Sequence, residues 1–136
     1  MTTPVLTPVP ADANPAVVLR AAADYIDQHG WLKGALYPEG YTSCPPACVT
    51  GAIRIVVCGR PSPDAKDRSK NQTTRILVAE RVFAAHLGHT FDPDQTRRIR
   101  LAIETWNDRA WRSVIDVTNE LRAAATAYDD TNGGAR

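Results

Sequence analysis

The chain has 136 residues, the length of a single domain at roughly 100–200 residues per domain. Sixteen Lys/Arg stand against fifteen Asp/Glu, a formal net charge of +1, which excludes a dominant basic nucleic-acid arm and an acidic tail. At 43% apolar and 23% charged residues the composition is globular, and with no apolar run of about eighteen residues there is no transmembrane candidate.

Met1 to Pro8 holds neither a basic region nor an apolar core, so no secretory signal is expected and the expected location is cytoplasmic. Residues 1–13 carry Pro4, Pro8 and Pro10 and little charge, and are expected to form a flexible arm. Asn14-Pro15 then places a capping residue before a proline at the first helical position. Val18, Ala21, Ala22, Tyr25 and Ile26 share one face, and Gly30 suits a helix stop, so the spacing predicts a helix over 15–29. In residues 31–46, Gly34, Pro38, Gly40, Pro45 and Pro46 exclude a long regular element. Trp31, Leu32, Leu36, Tyr37 and Tyr41 make that connector apolar enough to pack over the core, and a short strand or hairpin fits here.

Residues 47–58 are apolar almost all round, broken only by Thr50 and Arg54. Ile53-Arg54-Ile55-Val56-Val57 alone would suit a buried strand. Pro45-Pro46 before the run and Gly59 after it favour a helix, and a helix apolar on nearly every face is central. Residues 60–72 are polar and locally basic, and are expected to form an exposed loop. Thr73 or Thr74 is the expected cap of a third helix, with Ile76, Ala79, Val82, Phe83, His86 and Leu87 on its face and Gly88 at its end. Asp92-Pro93 is expected to open a fourth, carrying Ile99, Ala102, Ile103 and Trp106. Trp106-Asn107-Asp108 interrupts it. Ser113, with Asp116 three residues on, caps a fifth helix whose core face is Val114, Val117, Leu121, Ala124 and Ala125. The expected fold is all-α, a compact bundle of about five helices with an apolar central helix. Its domain spans 14–128, between the proline-rich arm 1–13 and a flexible tail 129–136.

Cys44, Cys48 and Cys58 are odd in number and spaced C-x3-C-x9-C, with no histidine at a standard zinc spacing. Neither a disulfide framework nor a metal is expected, and no cofactor motif occurs. There is no Walker loop, dinucleotide fingerprint, HExxH, GxSxG or EF-hand loop. Cys48 falls at the start of the second helix, where the helix dipole lowers a thiol pKa. With His86 or His89 as base and Asn107 or Asp108 as orienting group, a Cys-His-Asn arrangement can be written. The competing reading, a small core residue beside Gly51 and Ala52, is the stronger. His29 and His86 sit in last turns, where cations complement the dipole. Arg97, Arg98 and Arg100, with Arg60, Lys66, Arg68, Lys70 and Arg75, form either a phosphate-binding surface or a solvated helix face opposite Ile99 and Ile103. Trp106, Asn107, Asp108 and Trp111 place two indoles around two Asx side chains. Trp106 continues the core stripe, whereas Trp111 lies in a loop and is the better candidate for contact with a partner.

Three stretches recur in a known order: Leu19 to Trp31, an alanine-rich helix ending in Gly-Trp; Cys48-Val49-Thr50-Gly51-Ala52-Ile53; and Trp106-Asn107-Asp108 before a helix. In this the chain resembles, over roughly residues 15–127, a family of small helical proteins of actinobacteria and actinophages with no known activity. The basic stretch 60–72 departs from that pattern. So does Arg109-Ala110-Trp111-Arg112, where the family more often has a proline or glycine turn. The resemblance implies a small helical domain and carries over no catalytic residue. Three functional readings follow, none involving a membrane. The leading one is protein–protein interaction through Trp106, Asn107, Asp108 and Trp111, as a phage or mobile-element accessory protein. The second is nucleic-acid binding through Arg68, Lys70, Arg97, Arg98 and Arg100. The third is a thiol enzyme using Cys48, His86 and Asn107.

Overall fold

A computed structural model describes residues 7–132, so arm residues 1–6 and tail residues 133–136 lie outside the described residues. Five α-helices follow in order: α1 (Pro15–His29), α2 (Val49–Cys58), α3 (Lys70–His86), α4 (Thr96–Asn107) and α5 (Val114–Thr131). Among the described residues there is no strand. A single parallel bridge between Trp31 and Ala47 stands where a short strand or hairpin was expected. None of the described helices is long and apolar enough to cross a membrane.

α1 starts and stops where its caps dictate. Asn14 Oδ1 accepts from Val17 N at 3.0 Å, and Gly30, at φ +102°, donates its N–H back to Ile26 O. α2 is the central helix, buried from Val49 to Val57, and it packs against α1, α3 and α4. α1 lies along α5 in the largest helix–helix contact. That pair is laced at its rim by Arg20 to Asp129 (2.8 Å) and by Arg122 to Asp24 and Asp27 (2.9 and 2.6 Å).

Three boundaries differ from the sequence reading. α3 begins at Lys70, capped by Ser69 and not by Thr73 or Thr74: Ser69 and Gln72 bond reciprocally in a capping box (3.1 and 2.9 Å). Its first turn is polar, so the apolar stripe that reveals the helix begins only at Ile76. α4 opens at Thr96, because Gln95 ties residues 92–95 into a turn by bonding Asp92 through both main chain and side chain. It also continues through Trp106 and Asn107. In α5 the Ser113–Asp116 capping box forms (3.0 and 3.2 Å) and Val117, Leu121, Ala124 and Ala125 are buried. Val114 is 39% exposed, because the packed face begins one turn later.

The stretch 60–72 is only partly a solvent loop. Ser62 is buried, and its carbonyl accepts from Arg54 Nη1 at 3.2 Å. Its N–H donates to Tyr37 Oη, which donates in turn to Gly51 O. Arg54 and Glu80, 3% and 1% exposed, face each other's elements across the α2–α3 contact. Burial pushes the Glu80 carboxyl up to about 7, against the downward pull of Arg54, Arg100 and Arg68. The folded state therefore keeps this proton in a pH range where the unfolded chain has released it. Its contribution to stability is present below the ordinary carboxylate range and is lost as pH rises through about 7. Glu80→Gln is expected to flatten that decline. Denaturant unfolding at about pH 5 and about pH 8 should show the variant gaining on the parent at the higher pH, and parallel curves would exclude Glu80 as the source.

Candidate functional site

The C-terminal end of α4 is the most heavily bonded polar point in the molecule. Asn107, 1% exposed, uses its whole amide. Oδ1 accepts from Trp31 Nε1 (2.8 Å) and Val49 N (3.2 Å), and Nδ2 donates to Leu32 O (3.1 Å) and Asp108 Oδ1 (2.9 Å). Asp108 Oδ1 also accepts from Gly34 N at 2.9 Å, and Lys33 Nζ donates to the carbonyls of Arg109 and Ala110. Trp106-Asn107-Asp108 thus fastens the connector after α1 to the start of α2. Asn107 has no bonding capacity left and no surface to offer a partner. Trp106 is half-buried, edge-on to Phe83 at 5.5 Å and covered by the Arg112 guanidinium at 4.0 Å. Trp111 is 70% exposed, with Arg109 over its ring.

Cys48 is the N-cap of α2, its sulfur accepting from Gly51 N at 3.3 Å. The expected lowering of its pKa does not occur. Burial outweighs the main-chain hydrogen bonds and pushes the thiol up to about 11. His86 is bonded to Glu120 at 2.9 Å and lines a different hollow from Cys48. The structure therefore brings Cys48 and Asn107 to one place without His86. His89 stacks on Phe91.

The basic residues separate into two groups. Lys70, Arg97 and Arg98 are exposed. Arg68 is turned inward, its Nη1 donating to Ser62 O and Oγ, and Arg100 is half-buried with its charge acting on Arg54 and Glu80.

Two adjoining hollows mark the outer surface where α3 passes into α4. One, of about 340 Å³, has Phe91, Leu101, Ala102 and Trp106 in its walls, with Arg98 and Arg109 at its edge. The other, of about 220 Å³, adds Val78, Val82 and Ala85, with Arg81 at its edge. His89 and Phe91 belong to both. Leu101 is 61% exposed, a large apolar side chain left open to water on α4. Among the described residues no carboxylate lines either hollow, so the surface is apolar with a basic rim. Sequence reasoning missed it because Leu101 lies off the Ile99–Ile103 stripe and Phe91 lies between two helices.

A third hollow, of about 110 Å³ and more enclosed, lies between α2 and α4. Cys48, Thr50, Glu104, Asn107 and Asp108 line it together with the Gly34–Leu36 segment. Thr50 and Arg54 were visible as the two polar breaks in an apolar run. Glu80, one helical turn after Ile76 on the buried face of α3, was the matching signal that went unread.

A family model described as a family of unknown function, DUF6197, matches residues 10–127, and the chain belongs to that family. No curated protein and no solved structure matches the chain.

Asn107→Leu is expected to leave Val49 N and Leu32 O unpaired and to destabilise the fold by more than about 2 kcal/mol, at roughly 1–3 kcal/mol per buried unsatisfied group. Chemical denaturation measures this, and a loss below about 0.5 kcal/mol, the size of an ordinary surface change, would show that the clamp is dispensable. Thiol alkylation under native conditions is expected to spare Cys48 and modify it only on unfolding. Native modification of Cys48 at a free-thiol rate would restore the enzyme reading.

Proposed function

We propose that this DUF6197 member is a binding protein that takes an acidic, amphipathic segment of another protein onto the apolar surface around Phe91, Leu101 and Trp106. The observation that carries this reading is the pairing of exposed Leu101 with two apolar hollows rimmed by Arg81, Arg98 and Arg109 and, among the described residues, free of carboxylates. An apolar groove supplies the burial that holds an amphipathic helix, and a basic rim selects and steers an acidic partner. Trp111, exposed beside Arg109, extends the surface with the residue type most enriched at binding hot spots. Of the four residues first singled out for partner contact, this reading keeps Trp106 and Trp111 at the surface and gives Asn107 and Asp108 the task of holding it in shape. Three unpaired cysteines suit a reducing, cytoplasmic setting. The resemblance to actinophage proteins favours a phage or mobile-element accessory role.

Exposed Lys70, Arg97 and Arg98 support nucleic-acid binding as the second reading, which one experiment separates from the first. Affinity capture from host lysate, with and without nuclease, is expected to retain a nuclease-resistant protein. Leu101→Asp is expected to abolish its capture, and Arg98→Glu to weaken it by roughly tenfold, about 1.4 kcal/mol. Both sites are exposed, so circular dichroism should be unchanged. Capture that is indifferent to Leu101→Asp would overturn the proposed surface. Recovery of nuclease-sensitive material alone, falling steeply with salt, would establish the second reading instead.

A further inference from the structure

The segment 60–68, between α2 and α3, is bonded within itself. Asp64 caps the short 3-10 helix Ala65–Asp67, Arg68 N bonds Ala65 O, and Arg60 Nη2 donates to Asp67 O. Arg68 Nη1 adds bonds to Ser62 O and Oγ at 3.2 and 3.3 Å. Its ties to the rest of the molecule come from two buried side chains. Arg54 Nη1 donates to Ser62 O and to Pro63 O, each at 3.2 Å, and Ser62 N donates to Tyr37 Oη at 3.1 Å. Arg54 has a second claimant in Glu80, across the α2–α3 contact. Both are enclosed, and neither is satisfied there: Glu80 Oε2 and Arg54 Nε have no hydrogen-bond partner among the described residues. The charged groups that act on the Glu80 carboxyl are Arg54 from α2, Arg100 and Glu104 from α4, and Arg68 from the segment itself. α1 and α5 also pack on α3, and the ion pairs they make do not include Glu80.

We infer that Glu80 and the segment 60–68 form a pH-operated latch, in which the segment is held down while the Glu80 carboxyl keeps its proton and lifts from Arg54 and Tyr37 when that proton is lost. An uncharged carboxyl makes no strong claim on Arg54, whose guanidinium then serves the Ser62 and Pro63 carbonyls. An ionised carboxylate in the same enclosed place is an acceptor without a donor, which is costly. Two movements relieve it, and both free the segment. Arg54 turns to Glu80 and leaves the two carbonyls, and water enters beneath the lifted segment. Enclosed, the carboxyl titrates at about 7, with burial the largest cause; once hydrated it returns toward the ordinary carboxylate range. Opening therefore releases a proton. The closed form prevails at low pH, and opening gains as pH rises from the ordinary carboxylate range through about 7.

The test is amide hydrogen exchange of the whole protein, resolved by NMR at about pH 5 and about pH 8 and expressed as protection factors, which remove the ordinary base catalysis of exchange. The reporter is the amide of Ser62, the group bonded to Tyr37. Amides of Ile53 in α2 and Leu121 in α5 report opening of the whole fold. In the parent, Ser62 is expected to be protected at the lower pH and to lose protection by roughly tenfold or more at the higher, beyond any loss at Ile53 and Leu121. Glu80→Gln, which keeps the shape and stays uncharged, is expected to hold Ser62 protected at both. The parent alone decides the first half, whether or not the variant folds. Ser62 protection that is absent at pH 5, or unchanged at pH 8, would overturn the latch. Equal losses at all three amides would assign the effect to global unfolding and overturn it too. The same fall in Glu80→Gln would pass the role to another titrating group.

Discussion

α2 is ten residues long and buried from Val49 to Val57. A helix so short has little stability of its own, and one so enclosed cannot send its unpaired terminal N–H and C=O groups to water. Every such group must be met by another part of the chain. At the start, Cys48 Sγ takes the Gly51 N–H and Asn107 Oδ1 takes that of Val49. At the end, Gly59 N bonds Ile55 O and Val9 N bonds Val56 O. Along its flank the carbonyl of Leu36 approaches so closely that a Cβ at position 51 would lie 2.6 Å from it, so only glycine fits there without displacement of the backbone. The end of α4, the connector after α1 and the segment before α1 are all positioned by the needs of this one helix.

The parts of this arrangement that are local were legible in the sequence. Asn14-Pro15 and Gly30 delimit α1, Ser113 with Asp116 starts α5, and the apolar run before Gly59 is a helix. The parts that depend on neighbours were not. Ser69 caps α3 through Gln72, but both lie in a stretch whose composition reads as loop. Asn and Asp after Trp106 suggest a turn by their local preferences. Asn107 instead remains helical because its side chain is spent on residues of the sequence 58 to 76 positions away. The thiol of Cys48 shows the same competition between local and tertiary effects. Its place at a helix start favours the thiolate, and burial reverses the balance.

The candidate sites were legible to different degrees for the same reason. Trp111 announces itself as a tryptophan in a polar loop. Leu101 and Phe91 become a surface only when α3 and α4 are set side by side, and Thr50 and Glu104 share a wall only because the end of α4 is fastened to the start of α2. Trp106 links the two roles, with Phe83 against one part of its ring, Arg112 over its face, and an edge in the outer hollow. Shape at the surface is therefore held by the same side chains that complete the core.

The bond from Val9 to Val56 gives the chain a boundary that differs from the one its family resemblance draws. Val9 lies one residue before the segment matched by the family, and well before the first helix. Yet it closes the buried end of the central helix and packs against the core. One end of the central helix is thus completed from outside the matched segment, and a fragment trimmed to that segment would leave the Val56 carbonyl of α2 without its partner.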